Sequence, residues 1–339
     1  MCSLNKKYIV ITAAILGITI LLVSVSDLGS MSAIPTSHAQ VPKGKVFVMY
    51  AASLIRTFEE TLGPTFQERT GYIYDGEPRG SIQVANMITD ELRKPDIFVS
   101  AGTVPIKKLM DNTPRLADWL VKFGSAEMVI AYSPNSRLFH DLEKARTAEL
   151  PWYHVLSRQD FKFGRTDPEL HPKGYYMILT AKLANLYYND SGIQQRILGD
   201  DRNPKQIFPE EILRTILEQG QLDAVAAYKH EAIARGLPYI TLPPQINLAD
   251  PTFVDIYRKI SYISENSGQT IHGEPIYFSF TIPATVENLN GAISFGSFIL
   301  SNGGKKILEG QGLNLIKPVI EGNKVKVPSS LKSILKINN

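Results

Sequence analysis

The stretch from Lys45 to Arg56, Lys-Val-Phe-Val-Met-Tyr-Ala-Ala-Ser-Leu-Ile-Arg, constrains this chain more than any other. Val46 to Tyr50 is short, apolar and rich in β-branched and aromatic side chains, the pattern of a buried strand. Ala51 and Ala52 follow, with side chains too small to block a close approach to the backbone. Ser53 then stands where a helix N-cap belongs, and Leu54, Phe58 and Leu62 recur behind it at helical spacing. A strand that runs through small residues into a helix start directs free N–H groups and a positive dipole end at one spot. Such a spot suits an anion. A single unit of this kind is also how an ordinary capped helix begins.

Its recurrence gives it weight. Gly71 to Asp75 is a second short strand, followed by Gly76-Glu77-Pro78-Arg79-Gly80-Ser81 and by Val84, Met87, Ile88 and Leu92 in helical register. Ser81 is expected as a second N-cap, and Gly80 lets a ligand reach the backbone. Two such units predict two helix starts converging at the carboxyl ends of parallel strands.

With 339 residues, the chain exceeds one typical core and suits two lobes plus a leader. A net charge of +3 gives no reason to expect a nucleic-acid partner. The leader is residues 1–44. Lys6-Lys7 precedes an apolar run from Tyr8 to Val25, and Ser37-His38-Ala39 resembles a cleavage site well beyond it. Either Gln40 begins the mature chain, or the run stays as a membrane anchor and the following residues form a tether. Both place the remainder outside the cytoplasmic membrane. Cys2, the sole cysteine, precedes the apolar run, so the exported part has no disulfide, thiolate metal site or cysteine nucleophile.

Beyond these units, Asp96 to Ser100, Ala126 to Tyr132, Phe161 to Arg165, Asp223 to Tyr228, Ile240 to Leu242, Lys259 to Ile263 and Tyr277 to Thr281 read as strands. Tyr175 to Tyr188 reads as a long amphipathic helix with Tyr176, Leu179, Leu183 and Leu186 on one face. Pro209 to Gln219, Glu287 to Leu300 and Lys305 to Glu309 are further helices. Alternating strands and helices predict an α/β fold with mostly parallel sheets, two lobes and a cleft between them.

The ordered series Tyr-Ala-Ala-Ser-Leu, Gly-Ser before a helix, Asp-Ile-Phe-Val-Ser-Ala, Phe-Gly-Arg-Thr-Asp-Pro-x-x-x-Pro-x-Gly-Tyr, Leu-Asp-Ala-Val-Ala-Ala-Tyr-Lys and Phe-Thr-Ile-Pro-Ala carries a resemblance. It is similar to the solute-binding proteins of molybdate and tungstate ABC transporters, closest to their archaeal branch, over roughly Lys45 to Pro318. The resemblance implies a type II periplasmic-binding-protein (Venus flytrap) fold. Lobe one would comprise 45–125 and 277–339, and lobe two 126–276. It implies a monomer that holds tungstate or molybdate, without a cofactor, by hydroxyls and main-chain N–H groups. The matching positions are Ala52, Ser53, Gly80 and Ser81 in lobe one, with His171, Gly174, Tyr175 and Tyr228 in lobe two. The partners it implies are a membrane permease and its cytoplasmic ATPase, with membrane contact through the N-terminal segment if that is uncleaved.

An enzyme lacks its constellation. His230-Glu231 begins like a zinc-protease helix, but residue 234 is alanine where the second histidine belongs. His140, His154 and His272 are isolated. Other readings are a sulfate or phosphate binder, an anchored oxyanion sensor, and a ferric-iron binder using the pairs Tyr175-Tyr176 or Tyr187-Tyr188.

One departure stands out from the branch it resembles. That branch implies two carboxylates on the metal of the oxyanion, expanding its coordination. Here the matching positions are His171 and Ala227, neither able to supply an anionic oxygen, with Asp167 and Glu169 in the same loop. The expectation is an anion held as an unexpanded tetrahedron by hydrogen bonds alone. His171 would then act as a donor, and affinity would rise as pH falls through the histidine range.

Overall fold

The computed structural model of the protein describes residues 42–335. Cys2, the apolar run from Tyr8, the Ser37-His38-Ala39 sequence and Gln40 lie outside those residues. Twelve strands follow in chain order among them. They are β1 (Lys45–Ala51), β2 (Ile73–Arg79), β3 (Ile97–Ala101), β4 (Trp119–Ser125), β5 (Met128–Tyr132), β6 (Phe163–Gly164), β7 (Ala224–Tyr228), β8 (Tyr239–Thr241), β9 (Ser261–Ile263), β10 (Thr270–His272), β11 (Tyr277–Thr281) and β12 (Asn314–Gly322).

Six of these strands build one sheet in the order β12-β4-β11-β3-β1-β2. β1 lies between β2 and β3, parallel to both. It is apolar on both faces because both are covered. Val46, Val48 and Tyr50 pack into the main core, while Met49 packs with Val84, Ile88 and Phe98 under the helix Ser81–Thr89. A second sheet has the order β6-β7-β5-β8, with β5 antiparallel to β7 and β8. The chain passes between the sheets twice, side by side. Ala126 N–H donates to Ile276 O at 3.0 Å, and Ile276 N–H to Leu248 O at 2.8 Å.

The expectation of mostly parallel sheets is corrected, since both are mixed. β11 runs antiparallel to β3 and β4, and β12 antiparallel to β4. A crossover helix is what makes two neighbouring strands parallel. β11 enters the large sheet from the separate two-stranded β9–β10 sheet, with no helix between β10 and β11.

The helix expected over Tyr175 to Tyr188 spans Pro172–Tyr187. It is not a half-exposed surface helix. Every residue from Pro172 to Ala181 is buried, and Leu186, assigned to the apolar face, is exposed. This helix runs through the core of the second half, so its first turn is held from several sides at once.

Candidate functional site

β1 runs into a continuous helical stretch: a 3-10 turn at Ala52–Leu54, an α turn at Ile55–Thr57, a π segment at Phe58–Leu62 and an α-helix at Gly63–Thr70. Ser53 is not the N-cap. Ala51, the last residue of β1, takes that position without a side-chain cap, and the helical turn begins at Ala52, one residue ahead of Ser53. Ser53 falls inside the first turn, and its buried Oγ has no hydrogen-bond partner. Ser81 differs from expectation in the same way. Gly80 occupies the cap position, Ser81 is the first helical residue, and its Oγ accepts the Ala101 N–H at 3.1 Å. The first N–H groups of both helical stretches have no preceding carbonyl of their own helix.

The facing residues come from the loop 165–171 and from β7. His171 is the N-cap of Pro172–Tyr187, in extended conformation and without a side-chain cap bond. It lies against Gly80: a Cβ on Gly80 would stand 3.0 Å from His171 Cδ2 and 2.3 Å from Leu170 O. Leu170 O also accepts the Gln83 N–H at 3.3 Å, so this loop touches the start of Ser81–Thr89 directly. Gly174 packs where a Cβ would meet Thr166 O at 2.5 Å, which keeps the loop folded onto the helix.

Tyr175 and Tyr176 stand side by side with ring centroids 4.5 Å apart. Both hydroxyls point at Gly102, just beyond β3, where a Cβ would be 3.2 Å from Tyr175 Oη and 2.8 Å from Tyr176 Oη. The hydroxyls of Tyr175, Tyr176 and Tyr228 are all buried without a partner, as are those of Ser53 and Ser100. Buried polar atoms are nearly always paired, so a cluster of unpaired hydroxyls marks a place built to receive a polar group. Burial pushes the Tyr175, Tyr176 and Tyr228 phenols well above their ordinary value, which keeps them neutral donors.

Behind the tyrosines lies a buried ionic cluster. Lys173 Nζ is 2.6 Å from Glu210 Oε1 and 2.9 Å from Glu231 Oε1, and Glu231 Oε2 accepts the Tyr228 N–H at 2.8 Å. The His171 imidazole is held below its ordinary value, first by burial; Glu210 opposes the shift and Lys173 reinforces it. The nearby carboxylates are engaged elsewhere. Asp167 accepts from the Glu169 N–H and pairs with Arg202 at 3.0 Å. Glu169 accepts from Tyr262 Oη, Ser264 Oγ and the N–H groups of Glu265 and Asn266. Ala227 alternates with Tyr228 along β7, so its side chain faces away, into an apolar cluster with Leu213 and Leu217. Among the described residues no group of three or more His, Cys, Asp or Glu is arranged to hold a metal ion.

Several residues of this arrangement are missing from the sequence expectation. Ser100 carried one signal, a hydroxyl at the end of an otherwise apolar strand. Tyr176 read as helix face because a buried helix leaves no periodic trace of which side meets a ligand. His230 read only as a failed metal motif. It is 3% exposed, stacks on Tyr228 and places Nε2 3.3 Å from Ser53 O.

Two sheets, paired crossings between them and a cluster of unpaired hydroxyls where their helices meet define a type II periplasmic binding protein. The chain belongs to the family described as bacterial extracellular solute-binding protein, which residues 46–314 match. It is 32% identical over 319 residues to the molybdate/tungstate-binding protein WtpA of Pyrococcus abyssi, covering 86% of this chain and 90% of that one. It is also 32% identical over 285 residues to the protein of the same name from Thermococcus kodakarensis, covering 78% of each. The fold is similar to the periplasmic molybdate-binding protein of Azotobacter vinelandii, with a TM-score of 0.54 at 16% identity over 80% of this chain and 99% of that one.

Proposed function

We propose that this chain captures a tetrahedral oxyanion, tungstate or molybdate, without catalysing a reaction, and delivers it to an ABC permease driven by an ATPase. The anion sits between two lobes, 45–125 with 277–339 and 126–276. The observation that carries this reading is the set of buried, unpartnered hydroxyls of Ser53, Tyr175, Tyr176 and Tyr228 beside the starts of two helices. A fully ionised oxyanion accepts from many donors, and hydroxyls and N–H groups supply them with no countercharge to strip. The names of the Pyrococcus and Thermococcus relatives support the choice of anion. The protein acts as a monomer outside the cytoplasmic membrane, released or anchored through its N-terminal segment. Titration calorimetry of the chain from Gln40 onward against tungstate, molybdate, sulfate and phosphate tests the reading. Heat from tungstate or molybdate is the expected result, and four silent titrations would refute it.

Ser53→Ala should weaken binding by roughly 1–3 kcal/mol, the cost of removing one partner of a buried charged hydrogen bond. Ser81→Ala should weaken it similarly and also lower thermal stability, because the buried Ala101 N–H loses its acceptor. Parent-like affinity in both variants would move the site elsewhere.

The anion remains four-coordinate. The engagement of Asp167 and Glu169 by protein donors, and the direction of Ala227, support this reading. X-ray absorption of the tungstate complex should find four short oxygen neighbours; six would overturn it. His171 is neutral when the site is empty, and a bound dianion raises its proton affinity. Affinity should therefore increase as pH falls through the raised value of the bound state and level off below the depressed value of the empty site. In His171→Ala that pH dependence should flatten.

A further inference from the structure

The short helix Lys229–Ala234 touches the Ser53 turn at both of its ends. Near its start, His230 Nε2 lies 3.3 Å from the Ser53 carbonyl oxygen. At its other end, the Arg56 guanidinium donates to Ala234 O. Arg56 sits one helical turn beyond Ser53 and also pairs with Glu60 at 3.1 Å. The His230 ring is held between Tyr228, at a centroid distance of 5.7 Å, and the edge of Phe278, at 5.2 Å. A carbonyl oxygen only accepts, so a hydrogen bond here requires the proton on Nε2. The Ser53 carbonyl shares a rigid peptide plane with the Leu54 N–H, so fixing one aims the other.

We propose that His230 is a positioning residue for the anion site, acting through the Ser53 carbonyl to aim the Ser53 hydroxyl and the neighbouring N–H groups. The Arg56 bond to Ala234 latches the same seam when the lobes close. This inference rests on the reading of Ser53 as an anion donor. His230 needs no charge for the role. Burial holds its imidazole down at about 3; the bond to Ser53 and Glu210 oppose the shift, while Lys173 and Arg235 add to it. The imidazole is therefore neutral in the folded protein throughout the range in which an unfolded histidine, at about 6.5, gains its proton. Its contribution to stability is complete above about 6.5 and is lost as pH falls from there towards about 3.

The test uses the full chain with sodium tungstate as the probe. His230→Gln keeps an N–H donor at nearly the same reach, whereas His230→Phe keeps the stacking and volume but removes the donor. His230→Phe should bind tungstate about tenfold more weakly than the parent, while His230→Gln stays within about threefold. Both variants should lose the part of the acid destabilisation that falls between about 6.5 and 3. Arg56 is exposed, so Arg56→Ala should fold as the parent does. It should bind about three- to tenfold more weakly, and Glu60→Ala should not, which separates the latch from simple helix support. Parent-like affinity in His230→Phe, or equal losses in His230→Phe and His230→Gln, would overturn the positioning role. Parent-like affinity in Arg56→Ala would overturn the latch. A parent that binds none of the four oxyanions would instead overturn the functional reading, and this inference with it.

Discussion

Lys173→Met is expected to lower folding stability by about 3–5 kcal/mol, the usual consequence of removing one partner of a buried ionic cluster. Lys173, Glu210 and Glu231 are 5%, 6% and 4% exposed, so water cannot stand in for the lost ammonium. Burial alone would raise the Glu231 carboxyl. Lys173, Arg235 and the Tyr228 N–H outweigh it and hold the carboxyl below its ordinary value. Burial likewise opposes the Lys173 charge, but the two carboxylates prevail and raise it. The sign for Glu231 follows: its stabilisation is present above the ordinary carboxylate range and is lost as pH falls through the depressed folded value. Urea denaturation at neutral pH measures the loss. Adding Glu210→Gln and Glu231→Gln should recover part of it, because the carboxylates left unpaired are the source of the cost. A denaturation midpoint unchanged in Lys173→Met would show that the cluster is not paired in solution.

Gly80→Ala should weaken tungstate binding by roughly 5- to 150-fold, the equivalent of the roughly 1–3 kcal/mol that overpacking costs. Gly80 has a φ of −60°, which alanine adopts without strain, so the backbone itself has no objection. The collision is with the opposite side: the new methyl would lie 2.3 Å from Leu170 O and 3.0 Å from His171 Cδ2. The carbonyl belongs to a loop pinned by Asp167 and Glu169, so it cannot retreat freely. The variant should keep the parent's thermal midpoint within a few degrees while losing affinity, because the methyl would push the loop that carries Leu170 and His171 away from the start of Ser81–Thr89. Full affinity in a folded Gly80→Ala protein would place the Gly80–Leu170 contact outside the binding event.

Much of this arrangement was legible in the chain because local rules agreed with the fold. β1 declared itself through an unbroken apolar run, and the small residues after it marked where a helix had to begin close to the sheet. The expected positions Ser53 and Ser81 follow from such junctions, whereas Tyr175 and Tyr228 were offered only by the family resemblance. Cap assignments slipped, by two residues at Ser53 and by one at Ser81, because the helical backbone begins ahead of the first hydroxyl rather than at it. Sheet direction was misread because β11 arrives from the β9–β10 hairpin rather than through a crossover helix from a neighbouring strand, and no local pattern records where a strand comes from. Ser100, Tyr176 and His230 were hidden for a related reason. Ser100 and Tyr176 lie in stretches buried on all sides, where apolar periodicity is silent, and His230 lies on a helix too short to show a period, so only three-dimensional neighbours distinguish core from site. Glu169 looked like a spare carboxylate, and only its four donors on the β9–β10 hairpin show that it is occupied.

The large sheet draws its middle strand β11 from residues 277–281 and its edge strand β12 from residues 314–322, while β1 to β4 lie before residue 126. A chain made from its N-terminus therefore produces two-thirds of that sheet long before the piece that joins β3 to β4 exists. Until then the β3 edge has open N–H and C=O groups and no partner to meet them. The second sheet is uninterrupted in sequence from β5 to β8 and can be completed while the first still waits. All four strands of the second sheet are therefore made before the large sheet receives β11 and β12. Shortening the chain before β11 should leave the N-terminal strands prone to pairing with other copies rather than merely depriving them of a neighbour.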